Sequence, residues 1–261
     1  MTLFLHELRQ SKMSLAIWTI AITFFMVVCI VIYPDMSKEM EQVGDVFASM
    51  GAFTQAFGMD QLNFGTFMGY YSIECGNVVG LGGAFFAALA GIGILSKEEK
   101  EHTAEYLLSH PISRNYVLTS KLAAVVTQIM ILNAVIFAAT YGSVILMDIE
   151  AEWDSIILLH LAYFILQIEI GLICFGLSAF VKRGGLGLGL GIAIIMYFLN
   201  LVKNITSDAE FLKYITPFAY TDGAQIVEDI SLDTTLVLLG LVYGIFFTVI
   251  GYIKYNKKDI S

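Results

Sequence analysis

Residues 15–33 read LAIWTIAITFFMVVCIVIY and contain no formally charged side chain. About 20 apolar residues cross a hydrocarbon core of about 30 Å, so this stretch reads as a membrane span. It meets Pro34-Asp35 with no small-residue cleavage pattern, so the expectation is an uncleaved first span rather than a signal peptide. The preceding head, 1–14, sets Leu3, Phe4, Leu5 and Leu8 against Glu7 and Arg9. That pattern predicts a short amphipathic helix lying in the membrane surface.

Working outward, five more windows have the length and apolarity of the first: about 70–95, 122–147, 155–181, 184–202 and 235–253. The composition agrees. Of 261 residues 57% are hydrophobic and 14% charged, whereas a water-soluble domain carries about 25% charged residues. So few charges cannot cover a soluble core of this size, and 19 Phe with 13 Tyr oppose disorder. The expected fold class is an all-α membrane protein with six transmembrane helices, forming one domain over 1–261.

Six spans put both termini on one side, and the basic residues decide which. With the termini inside, eleven Lys and Arg face the cytoplasm and three (Lys38, Lys203, Lys213) lie outside. The positive-inside rule therefore places both termini in the cytoplasm. The net charge of −9 is unevenly spread, since fifteen of the 23 acidic residues fall in the outer segments 34–69, 148–154 and 203–234. These acids read as a solvated outer face, with recruitment of a cationic substrate as the sharper alternative. Nucleic acid is excluded as a partner because phosphate binding needs clustered Lys and Arg. Within the last outer segment, 211–218 (FLKYITPF) is apolar enough to sit in the interface or re-enter the membrane.

Several polar residues fall inside the spans. Glu169 lies near the middle of the fourth, where a carboxylate is costly and usually faces protein or water. Ala162 and Gly176 share its helical face, which suits a protein-packed interface. Either it lines a substrate or ion path, or it is a protonated or hydrogen-bonded packing residue. Glu74, near the outer end of the second span, is the second candidate for a translocation path. Gln128, Asn133 and Gln167 read as hydrogen bonders between helices, and His160 as an interfacial or interhelical residue. The four histidines have no metal-ligand spacing, so no metal site is expected. Cys29, Cys75 and Cys174 lie in apolar runs and read as buried thiols. The pairs Gly185/Gly189, Gly187/Gly191 and Gly76/Gly80 have the small-xxx-small spacing of close helix packing.

The most informative cytoplasmic segment is 96–121, SKEEKEHTAEYLLSHPISRNYVLTSK. A charged turn, 97–101, leads to Thr103 as a possible N-cap, and a short helix, Ala104 to Ser109, exposes Tyr106, Leu107 and Leu108. Pro111 stops that helix and Ser113 can cap the third span. Exposed Tyr and Leu among charges suggest a knob that docks another protein.

This segment resembles the loop between the second and third spans of ABC-transporter permeases of the type-2 exporter class. The matching residues run in order: Glu98, Lys100, Glu101, Thr103 and Glu105, then Leu107-Leu108, then Pro111-Ile112-Ser113-Arg114. It departs at Glu101-His102, where the family usually has Arg-Gly. His6-Glu7-Leu8-Arg9 and 214–220 (YITPFAY) also resemble family features. The resemblance implies that 96–121 holds a coupling helix between spans 2 and 3, seated in a groove of a separate cytoplasmic ATPase. No G-x-x-x-x-G-K-[ST] cradle occurs, so the chain carries no cofactor itself, and ATP and Mg belong to that partner. The resemblance further implies two ATPase copies, a second permease (identical or paralogous) and a multi-pass location in the plasma membrane among lipid. An antimicrobial peptide or drug is the favoured exported cargo, with lipid or sodium ion as others. Two different readings stand beside it: a non-transporting sensor or assembly protein docking a partner through 96–121, and an ion-coupled carrier using Glu169.

Overall fold

The structure, a computed structural model, describes residues 2–49, 51–57, 62–63, 65–100, 112–181 and 185–257, without the side chains of 2, 38–49 and 98–100. Six helices are long and apolar enough to cross a membrane: Leu3–Ser37, Phe67–Lys97, Arg114–Leu146, Trp153–Ser178, Leu186–Ile205 and Thr234–Asn256. They are spans 1 to 6 below. Among the described residues every regular element is helical. The even number of crossings puts the first and last spans' free ends at the same face, here called the base.

Burial sorts the spans into a centre and a rim. In spans 2 and 4, 61% of the apolar window is buried, against 22% in spans 1 and 6 and 11% in span 5. Span 4 lies between spans 2 and 6, span 1 packs along span 3, and span 5 rests on span 2. The rim spans turn large side chains outward, among them Ile20 and Phe24 on span 1, Phe198 on span 5 and Phe246 on span 6. Apolar residues on that surface are solvated by lipid tails, so their exposure carries no penalty.

Without a hydrophobic drive between helices in lipid, contact depends on close backbone approach and interhelical hydrogen bonds. A Cβ on Gly176 of span 4 would stand 2.0 Å from the Phe247 carbonyl oxygen of span 6. One on Gly251 would stand 2.7 Å from the Gly176 Cα, so only glycine permits this crossing. Of the spaced pairs, Gly185 and Gly189 pack on Ile92, and Gly76 and Gly80 on the Tyr163 ring. Gly187 and Gly191 meet no neighbour within 4 Å. Asn133 Nδ2 of span 3 donates to Gln167 Oε1 of span 4 at 2.7 Å, and Gln167 Nε2 donates to the Val79 carbonyl at 3.1 Å. His160 Nε2 lies 2.7 Å from the Tyr71 hydroxyl, an interhelical contact. Gln128 instead donates to Ala124 of its own helix, so it does not bridge helices as its polarity suggested.

Three elements differ from their sequence expectations. The head is not a separate surface helix: one helix runs Thr2–Ser49, with Pro34 inside it. At about 1.5 Å per residue it is roughly 72 Å long, more than twice the hydrocarbon thickness. Its head stays in line with span 1 because Glu7 is tied into the bundle, as described below. The 97–101 turn is likewise helical as far as Lys100, in the helix Gly82–Lys100. Span 2 is also not one regular helix, since Gly76–Leu81 forms a π-helical turn between Phe67–Cys75 and Gly82–Lys100. Gln167 meets the Val79 carbonyl inside that turn, and Gly76 and Gly80 let the Tyr163 ring lie against it.

Opposite the base, the segment after span 5 folds in two parts. Ser207–Tyr214 is a 3-10 helix with Phe211 and Tyr214 exposed, whereas every residue of the 3-10 turn Pro217–Thr221 is buried. Thr216 Oγ1 donates to the Met196 carbonyl at 2.7 Å and Tyr163 donates to the Thr221 carbonyl at 3.0 Å, pinning the second part between spans. Residues 211–218 thus divide into a mostly exposed half and a buried half.

Candidate functional site at the base of the bundle

The loop expected to dock a partner leaves the bundle from the ends of spans 2 and 3. Glu101, Thr103, Glu105, Tyr106, Leu107, Leu108 and Pro111 lie outside the described residues, as do the side chains of Glu98 and Lys100. Its root on the span 3 side is described. The Ser113 hydroxyl accepts from the Tyr116 amide at 3.2 Å, forming the N-cap that the sequence predicts. Arg114 Nη1 donates to the carbonyls of Tyr255 and Asn256, each at 3.0 Å. These carbonyls end span 6, where a helix leaves acceptors without partners and carries partial negative charge. One guanidinium thus ties the start of span 3 to the end of span 6.

The root is fixed a second time by a buried ion cluster. Glu7, 1% exposed, accepts from Lys121 at 2.7 Å through Oε1 and from Lys97 through Oε2. Lys121, fully buried, also donates to the Ile94 carbonyl at 3.0 Å. Lys97 further donates to Gln10 Oε1 at 2.6 Å. Lys97 closes span 2 and Lys121 lies two turns into span 3, so one carboxylate on span 1 holds both ends of the 96–121 segment. Burying charge is tolerated where partners and hydrogen bonds replace water, and removing one partner from such a pair costs about 3–5 kcal/mol. The amphipathic reading of the head places Glu7 in solvent and misses this cluster. The signal available was two lysines bounding the loop at the same membrane level as one acid.

Beside the cluster lies a cleft of about 390 Å³ between spans 1, 2, 3 and 5. Gln10, Ser11, Ser14 and Lys97 stand on one part of its wall, and Phe86, Leu89, Ala90 and Leu186 on another. Along span 2 the lining runs from Lys97 to Phe86, about 16 Å of helix, the depth of one bilayer leaflet.

The two carboxylates expected on a translocation path lie elsewhere. Glu169 is fully buried in span 4, and its Oε2 accepts from the Tyr220 hydroxyl at 2.9 Å. Its carboxyl fits against span 6 only because Gly240 has no side chain: a Cβ there would meet Oε2 at 2.2 Å. Glu74 is half-buried at the seam of spans 1 and 2, where the Cys29 thiol donates to it at 3.7 Å. Neither residue lines the cleft, and the structure does not bring the two together. Among the described residues no group of three or more His, Cys, Asp or Glu could hold a metal.

The sequence pattern of the ABC-2 family transporter proteins matches residues 1–260. A relative, the uncharacterized protein YhcI of Bacillus subtilis (strain 168), is 25% identical over 217 residues, covering 73% of this chain and 68% of that one. Six membrane-spanning helices and a match over essentially the whole sequence lead to one conclusion: the chain belongs to the ABC-2 family and is a multi-pass membrane permease component of an ABC transporter.

Proposed function

We propose that the chain is the membrane subunit of an ATP-driven exporter in the plasma membrane, moving an amphiphilic peptide or drug outward. The base faces the cytoplasm, in keeping with the eleven-to-three bias of Lys and Arg toward that side. The 96–121 segment receives the movement of a separate ATPase through Tyr106, Leu107 and Leu108. Two ATPase subunits and a second permease complete the transporter, and ATP with Mg is bound by the ATPases.

The observation that carries this reading is the rooting of the loop. Ser113, Arg114, Lys97 and Lys121 tie its two ends to spans 1, 2, 3 and 6. A knob so fixed transmits a displacement as a rigid-body change instead of absorbing it. The cleft favours the cargo class, because about 390 Å³ with an apolar wall and a few polar groups suits a drug-sized amphiphile better than a bare ion.

Copurification with the ATPase tests the docking step. Leu107→Asp and Arg114→Glu are expected to reduce recovery of the ATPase and its hydrolysis in proteoliposomes. Unchanged association and turnover in both variants would overturn it. Adding candidate peptides, drugs, lipids and sodium to the unaltered complex identifies the cargo as the compound that stimulates hydrolysis.

A further inference from the structure

The cleft at the base carries a polar group far from its mouth. Gln128 of span 3 stands in its wall and is 2% exposed. Its Nε2 donates to the Ala124 carbonyl at 3.1 Å, which fixes Oε1 as the other arm of the amide. Among the described residues Oε1 meets no donor, and the second N–H of Nε2 meets no acceptor. Lys121, seven residues earlier on span 3, bonds the Ile94 carbonyl near the base, so Gln128 stands about 10 Å deeper. Span 2 runs the opposite way, which brings Phe86, Leu89 and Ala90 of the cleft wall to a similar depth.

The mouth has another character. Gln10 and Ser14 are exposed there, beside the Lys97 ammonium that Glu7 and Gln10 hold. Together they present donors to a carbonyl or carboxylate. The space between mouth and depth is open, since a Cβ on Gly93 would meet nothing within 4 Å.

Such a wall selects what fills it. An acyl chain laid over Gln128 would leave its oxygen dry and unbonded, the costly case for a buried acceptor. An amide in the occupant supplies the missing donor and accepts the second N–H, while apolar groups on either side of it cover Phe86 and Leu89. We infer that the cleft is a binding site for amphiphiles carrying a secondary amide, as a short apolar peptide does, and that Gln128 recognises that amide. The occupant's carboxylate or carbonyl end lies at Lys97, Gln10 and Ser14, about three residues of extended peptide away. Calling this occupant the exporter's cargo rests on the function proposed above; its recognition by Gln128 does not.

The probe is tritiated N-acetyl-trileucine, whose first N–H lies about 10 Å from its carboxylate when extended, with a counterpart methylated on that nitrogen. Binding is measured to the full chain in lipid nanodiscs, with empty nanodiscs as background. The parent is expected to bind the N–H peptide about tenfold more tightly than the N-methyl peptide, a factor equal to about 1.4 kcal/mol. Gln128→Met should bring the two affinities together. Methylation adds the same bulk in both proteins, so the difference between them reports the hydrogen bond. The bond Gln128 makes lies within its own helix, so this variant breaks no hydrogen bond between spans. Should it fold poorly, Gln128→Asn, which draws the amide back by one methylene, should narrow the preference likewise. Gly93→Leu puts a side chain into the open space of a helix that tolerates it, and should weaken both peptides at least about tenfold. A parent that fails to bind the N–H peptide, or binds both equally, would overturn the site. So would a preference that survives Gln128→Met, or binding that survives Gly93→Leu. With the ATPase added, the N–H peptide should stimulate hydrolysis. Binding with the stated preference but without stimulation would refute its place as cargo and leave the site standing.

Discussion

Replacing Gly240 by alanine should damage the protein more than altering Glu169 itself. The added Cβ would lie 2.2 Å from Glu169 Oε2 and 2.6 Å from Oε1. Ordinary contact begins near 3.4 Å, so the carboxyl must retreat by about 1.2 Å. The Tyr220 hydroxyl, now 2.9 Å away, then loses its acceptor in a buried site. Overpacking costs about 1–3 kcal/mol and a buried unsatisfied hydroxyl a further 1–3. Interhelical hydrogen bonds in membranes fall at the low end, which places the total near 3 kcal/mol. Tyr220→Phe should cost about 1–2 kcal/mol, because Glu169 Oε1 already has no hydrogen-bond partner and the whole carboxyl would be stranded. Glu169→Gln should cost under about 1 kcal/mol, since an amide oxygen still accepts from Tyr220. The assay is thermal unfolding in detergent followed by a maleimide dye that brightens when Cys75 and Cys174, both fully buried, become reactive. At about 2–4 °C per kcal/mol, Gly240→Ala should melt about 6–12 °C below the unaltered chain. A Gly240→Ala protein that melts normally, or a Glu169→Gln protein that melts lowest, would refute the notch against span 6.

Other substitutions test other contacts. Gln167→Met removes the acceptor of Asn133 and the donor to Val79, and should lower stability by about 1–2 kcal/mol in the same melting assay. Gly251→Val forces spans 4 and 6 apart where a Cβ would already meet Gly176 at 2.7 Å, and should cost at least about 3 kcal/mol or abolish folded yield on gel filtration. Arg114→Met leaves the last carbonyls of span 6 without this donor; about 1–3 kcal/mol of stability should go, with hydrogen exchange speeding up at 253–257. At the end opposite the base, the hydrogen bond from Lys213 holds Glu210 below the usual carboxylate range and raises Lys213. Any stabilisation is therefore present at neutral pH, fading as acid protonates Glu210 or as alkali deprotonates Lys213. Both groups face solvent, so Lys213→Ala should leave the neutral melting temperature unchanged at physiological salt.

What the sequence made legible follows from which forces act locally. The spans were readable because apolarity over about 20 residues is a property of a segment alone, whatever its neighbours. Ser113 was readable as a cap because capping involves the next three residues. The π turn at Gly76–Leu81 was not readable, because its carbonyl at Val79 is met by Gln167, 88 residues away. Glu169 was readable as costly, but the residues that meet it, Tyr220 and Gly240, are distant in sequence and were not.

Glu7 shows the same limit at the residue that matters most to the base. Amphipathic logic assigns a charge to water, which is right where no partner is in reach. Its partners here are Lys97 and Lys121, 90 and 114 residues along the chain. A carboxylate in that position with neither lysine would cost several kcal/mol, and the head would leave the bundle for the surface, as the pattern suggests. Two distant lysines reverse the outcome, and with it the role of residues 2–14. These residues become the first turns of span 1, clasped to both ends of the 96–121 segment. The charges that bound the 96–121 loop thus have two roles: they add to the basic bias of the base, and through one acid they connect the loop to the wall of the cleft.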